Sequence, residues 1–100
     1  MKIELTENAI EWFEKEVGVT KENGVRFMGK VYGKTDIHEG FSVGMNVCQP
    51  EDSLTKVTIN EITYFVEKND DWFFSGYDLK VDYNKKRDEP VYTFIDQTLL

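Results

Sequence analysis

The sequence predicts a mainly β domain with one N-terminal helix, closing as a small β-sandwich or partly open barrel. Three observations carry that expectation. Period-2 alternation of apolar and polar residues recurs in short segments along most of the chain, as in half-buried strands. Helical periodicity of any length appears once, near the start. The aromatic content, 14% of 100 residues, supplies the bulk that a small core needs.

Lys2 to Leu5 alternates, with Ile3 and Leu5 on one side, as an edge strand would. Thr6 then occupies an N-cap position, and Leu5 and Ile10 stand at the spacing of a hydrophobic staple. A helix is expected from about Glu7 to Val17. Ala9, Ile10, Phe13 and Val17 share its apolar face, Glu11 and Lys15 form an i,i+4 pair outside it, and Gly18 supplies a left-handed C-cap.

After a turn at Lys21 to Asn23, Val25, Phe27, Gly29 and Val31 alternate with Arg26, Met28, Lys30 and Tyr32. Phe41, Val43, Met45 and Val47 alternate with Ser42, Gly44, Asn46 and Cys48. The two segments are expected to pair antiparallel around a polar loop, and Gly29 and Gly44 mark a bulge or the close approach of another backbone. Gln49 to Ser53 reads as a turn. Val57 and Ile59 make one strand and Ile62, Tyr64 and Val66 the next, joined by Asn60-Glu61, a weaker hairpin signal than Asn-Gly because Glu resists positive φ. Asn69-Asp70-Asp71 caps one turn of helix through Trp72, Phe73 and Phe74, which Gly76 ends. Leu79, Val81 and Tyr83 alternate again, and Val91 opens an aromatic-rich last strand through Ile95. Residues 1–100 form a single domain without repeats or linkers.

The formal net charge is −7, from 19 acidic and 12 basic residues. Such a surface repels phosphate backbones and anionic lipid, so neither nucleic acid nor membrane is an expected partner. The one basic run, Lys85-Lys86-Arg87, is followed at once by Asp88-Glu89 and reads as a solvated turn. No apolar run approaches the roughly 20 residues that cross a bilayer. A single cysteine forms no intrachain disulfide, and the first residues lack the apolar core of a signal peptide. These features place the chain in the cytoplasm.

The order of elements, with Gly24-Val25-Arg26 opening a strand and Gly76-Tyr77-Asp78-Leu79-Lys80-Val81-Asp82-Tyr83 forming a later one, resembles the HesB-like fold of the IscA-type (A-type) iron-sulfur carriers. The resemblance spans most of the chain and implies that the Leu79 strand shares a sheet with the Gly-Val-Arg strand. It also implies a link to iron-sulfur cluster metabolism, with iron or a cluster as possible cofactor. Carriers of that family hold their metal with three cysteines, one in the loop after the Gly-Val-Arg strand and a Cys-Gly-Cys near the C-terminus, usually pooled across a dimer. Here that loop is Gly33-Lys34-Thr35-Asp36-Ile37-His38-Glu39-Gly40 and the tail is Ile95-Asp96-Gln97-Thr98-Leu99-Leu100, neither with a cysteine. The chain is therefore similar to a cysteine-poor bacterial branch, and not to a conventional carrier.

Two sets of candidate site residues remain. Asp36, His38 and Glu39 bring two carboxylates and an imidazole into one loop, a donor set for a divalent cation, and Cys48 is the one soft ligand. The competing reading is that the loop residues are solvated and that Cys48 packs as a small apolar residue. Trp72, Phe73, Phe74 and Tyr77 form the densest aromatic cluster. They either close the end of the fold or present a docking surface to a protein partner, a homodimer being a further possibility. Catalysis has little support: there is no nucleophile elbow, no phosphate-binding glycine loop and no second histidine, and an enzyme would rest on His38 acting with Asp36 as a base in the Lys34 to Phe41 loop.

Overall fold

The computed structural model describes residues 1–35, 37 and 39–99, with Tyr32, Lys34, Glu39 and Leu99 as backbone only. Seven strands form two sheets. Strands β1 (Ile3–Leu5), β6 (Tyr77–Asn84) and β7 (Glu89–Asp96) make the smaller sheet in the order β1-β6-β7. Strands β2 (Gly24–Lys34), β3 (Glu39–Cys48), β4 (Ser53–Ile59) and β5 (Ile62–Glu67) make the larger, in the order β3-β2-β5-β4. The sheets do not close into a barrel. Contrary to the sequence-based expectation, the Leu79 strand and the Gly-Val-Arg strand lie in different sheets. Each instead has a parallel neighbour: Leu79 stands opposite Ile3, and Val25 opposite Tyr64.

Between the sheets, Val25, Phe27, Tyr64 and Val66 of the larger meet Ile3, Leu79 and Val81 of the smaller, all buried. Full burial of one such side chain is worth about 1.5–3 kcal/mol, so this shared core is what holds two otherwise separate sheets together.

Helix α1 (Glu7–Trp12) starts where Thr6 predicts, because Thr6 Oγ1 accepts from the Ala9 amide at 3.2 Å. The same hydroxyl donates to Asp82 at 2.7 Å, and the Thr6 amide reaches the Val81 carbonyl at 3.0 Å, so the cap also anchors the helix to β6. The expected helix to Val17 is not α-helical throughout. Phe13–Val17 widens into a π-helical turn, and Gly18, at φ +73°, closes it. Glu11 and Lys15 pair at 3.5 Å on the exposed side.

The Asn60-Glu61 hairpin forms although Glu61 adopts φ +69°, beside Asn60 at +52°. Asn60 Nδ2 donates to Glu14 at 2.8 Å, so a tertiary hydrogen bond to the end of the helical segment supports a turn that its own residue types favour weakly. A second helix, α2 (Asp71–Phe74), follows a 3₁₀ turn over Lys68–Asp70: the single helical turn expected through Phe74 forms, so the fold has two helices where its class was expected to have one N-terminal helix.

Gly29 is required by α2. A Cβ at this position would lie 2.8 Å from the Phe73 ring, so the close approach inferred from the glycine is by an aromatic ring and not by a backbone. Gly24 opens β2 under a similar constraint, with the Thr63 carbonyl 2.7 Å from where its Cβ would sit.

Candidate functional site

The β2–β3 hairpin carries most of the residues that the sequence singled out, and its two ends differ. At the Gly24 end, Cys48 stands opposite Gly24 and is half-buried. Arg26 lies two pairs further along, opposite Asn46. Its Nη2 and Nε donate to Asp70 Oδ2 at 2.8 and 3.3 Å, and the Asp70 side chain is 10% exposed. That hydrogen bond holds the guanidinium above its usual pKa against the opposing effect of desolvation, with smaller contributions from the charges of Asp70, Cys48 and Glu67. Asp70 is thus committed to Arg26. It makes no cap hydrogen bond to α2, the role its position in the sequence suggested. Glu67 is also buried and occupied, accepting from the Glu51 and Asp52 amides and the Ser53 hydroxyl, which builds the turn into β4.

At the other end, the candidates Asp36 and His38 lie outside the described residues, and Glu39 is placed only as the first backbone position of β3. Cys48 is the last residue of this ten-residue strand. At about 3.3 Å per residue the two ends are roughly 30 Å apart, so Cys48 cannot share a ligand set with Glu39 of the same chain. Among the described residues, no three of His, Cys, Asp and Glu converge on a point. One thiol per chain, beside an ion pair already satisfied, does not fit a cluster of the usual thiolate-rich kind.

The aromatic cluster divides. Phe73 and Phe74 are core residues at 0% and 1% exposure, Phe74 stacking on Phe94 at 5.7 Å, so they close the fold and are not accessible to a partner. Tyr77 is half-buried against Phe94. Trp72 is 54% exposed and packs edge-on against Phe41 at 5.4 Å. Phe41 stands opposite Val31, which is 61% exposed. Val31, Phe41 and Trp72 therefore form an apolar patch at the far end of the hairpin.

Val31 and Phe41 were not singled out from sequence. Their signal was present: positions 25, 27, 29 and 31 share one face of an eleven-residue strand, longer than the core it covers. A concavity of about 340 Å³ runs along α1 beside Trp12 and Tyr83, whose rings stack at 5.4 Å. Its rim mixes Glu11, Glu16 and Asp88 with Lys15 and Lys85, and Tyr83 donates to Asp88. It has no consistent charge to select a ligand.

The architecture defines the class. Over 95% of this chain and 80% of the other, the fold matches that of Escherichia coli SufA, a protein involved in biosynthesis of iron-sulfur clusters, at a TM-score of 0.62 and 20% identity. The two share a fold. No protein-family model matches the sequence. Among curated proteins, the pyruvate dehydrogenase inhibitor of Bacillus subtilis is 31% identical over 94 residues, 94% of this chain and 99% of that protein. An uncharacterized protein of Staphylococcus epidermidis is 32% identical over 96 residues, 92% of this chain and 97% of its own length. The chain belongs to the family of these two proteins. Among the described residues, no helix is long and apolar enough to cross a membrane.

Proposed function

We propose that this protein is a non-enzymatic regulator that works by binding another protein, with pyruvate dehydrogenase as its target, on a fold it shares with iron-sulfur biosynthesis proteins. The observation that carries this reading is the near end-to-end similarity to the Bacillus subtilis inhibitor. Similarity over 99% of that protein's length leaves little of the relative unaccounted for. The cysteine count supports the same direction: with Cys48 as the one thiol, the chain lacks the three ligands of a conventional cluster carrier.

The patch of Val31, Phe41 and Trp72 suits the docking role. A half-exposed tryptophan braced on a second aromatic ring is the kind of anchor that contributes most to protein interfaces. The experiment is a titration of the purified chain into the host pyruvate dehydrogenase complex, following turnover and binding heat. The expected result is saturable inhibition that Trp72→Ala weakens at least tenfold, on the order of 2 kcal/mol, as for an interface anchor. Turnover unaffected by excess chain, with no heat of binding, would overturn the target. Inhibition equal in Trp72→Ala and wild type would keep the target and discard the patch.

A further inference from the structure

The two sheets have four edges, and three carry features that discourage further pairing. Strand β1 has three residues. Strand β4 has Lys56 near its middle and lies against the N-terminal segment, where Thr55 Oγ1 donates to the Met1 carbonyl at 2.9 Å. Strand β7 begins Glu89-Pro90 and ends at Asp96. Short length, lysine, proline and terminal charge are the usual protections of an exposed edge. Strand β3 has none of them beyond Glu39 at its start. From Gly40 to Cys48 it runs Gly-Phe-Ser-Val-Gly-Met-Asn-Val-Cys, without a charge or a proline, on the outside of the larger sheet.

Every second residue of such a strand turns its N–H and C=O away from β2, presenting a row of donors and acceptors that an incoming strand would satisfy. The side chains make the same point. Val43 and Met45 pack against the core yet are only half-buried, and Val47 is 39% exposed; among the described residues β3 is the edge of its sheet.

We propose that the edge of β3 pairs antiparallel with β3 of a second copy of this chain, about a two-fold axis through Gly44, joining the two larger sheets into one of eight strands. The register follows from the sequence. Directly opposite residues in an antiparallel pair point to the same face. Centring on Gly44 sets Phe41 opposite Val47 and Val43 opposite Met45 inside, with Ser42 opposite Asn46 outside, and keeps all nine uncharged residues within the pairing. Two chains of charge −7 repel each other over most of their surfaces, and this stretch is where that repulsion is locally absent. The inference shares Phe41 with the docking patch but uses neither Trp72 nor any relative's name.

The test is sedimentation velocity of the full chain across the micromolar range, with amide exchange of the β3 residues. The wild type is expected to sediment as a dimer, with alternate β3 amides protected more as concentration rises. Ser42→Asp with Asn46→Asp sets carboxylates opposite each other and should weaken the dimer at least tenfold. Ser42→Asp with Asn46→Lys sets each new carboxylate opposite the other copy's new ammonium and should restore it. Circular dichroism on the same samples separates lost pairing from lost fold. A monomer at every concentration overturns the inference, as does a dimer indifferent to both double variants. Protection of β3 that appears only when the pyruvate dehydrogenase complex is added also overturns it, assigning the edge to a strand from the target.

Discussion

Trp72 and Phe73 are neighbours in sequence, both aromatic and both on α2, yet one is 54% exposed and the other fully buried. The contrast repeats along the β2–β3 hairpin. Towards Gly24, Val25 and Phe27 lie in the core and Arg26 is held by Asp70, whereas towards Lys34 the same alternation carries Val31 into solvent. Strand pattern alone therefore does not say what a residue does. Where the hairpin lies under the second sheet its apolar face is buried in the core, and further along the same alternation leaves Val31 61% exposed.

Substitutions can break or sharpen this contrast. The largest effect is expected from Phe73→Ala, a loss of about 3–5 kcal/mol in urea denaturation, because the fully buried ring fills the space above Gly29. Arg26→Ala is expected to cost about 2 kcal/mol. It leaves Asp70 with a largely buried carboxylate and no cation, and the partial exposure of Arg26 keeps the loss below the value for a fully buried pair. Asp70→Asn, which removes the stranded charge, should cost less than Arg26→Ala, and the reverse order would show that the pair is not what fixes this end.

A smaller, pH-dependent effect belongs to Asp78 in the smaller sheet. Its carboxylate accepts from Gln97 Nε2 at 3.0 Å and from the Lys2 amide at 2.8 Å, and these bonds hold its pKa below the usual carboxylate range. A depressed folded-state pKa gives stability that is complete above the unfolded value of about 3.9 and is lost as pH falls through the folded value. Asp78→Asn should therefore unfold more readily than wild type at pH 7, and the two melting curves should converge in strong acid. A gap of constant size down to pH 2 would place its cause in packing and not in charge. The smallest effect on stability is expected from Trp72→Ala, less than about 1 kcal/mol by the same denaturation assay, consistent with its exposure. A loss comparable to that of Phe73→Ala would remove the distinction between the two ends.

Local features were legible in the sequence where they have local causes. Thr6 and Gly18 mark the ends of the helical segment, alternation gives β2 and β3, and Asn60-Glu61 marks its hairpin. The parallel pairings of β1 with β6 and β2 with β5 were not legible, since each joins segments far apart in sequence with no turn between them to set the register. The division of the aromatic cluster was hidden for a related reason: within four residues, which face of α2 is buried depends on Gly29 and Phe94, elements away in sequence. Phe65 shows a further limit. By alternation it belongs on the outer face with Arg26, yet it is fully buried, with its ring at the space left by Gly24. The candidate metal ligands Asp36 and His38 fall outside the described residues, and Cys48 is separated from Glu39 by the length of β3.

The parallel pairing of β1 with β6 has a consequence for how the chain is made. Lys2 bonds to Asp78 and Thr6 to Asp82, partners 76 positions apart, so a segment made earlier must wait for one made 76 residues later before their sheet exists. Helix α1 and the β2–β3 and β4–β5 hairpins can form from nearby partners in the interval. The β1–β6 pairing is the long-range contact of the smaller sheet, and contacts of that sequence separation slow folding relative to a helical domain of this size.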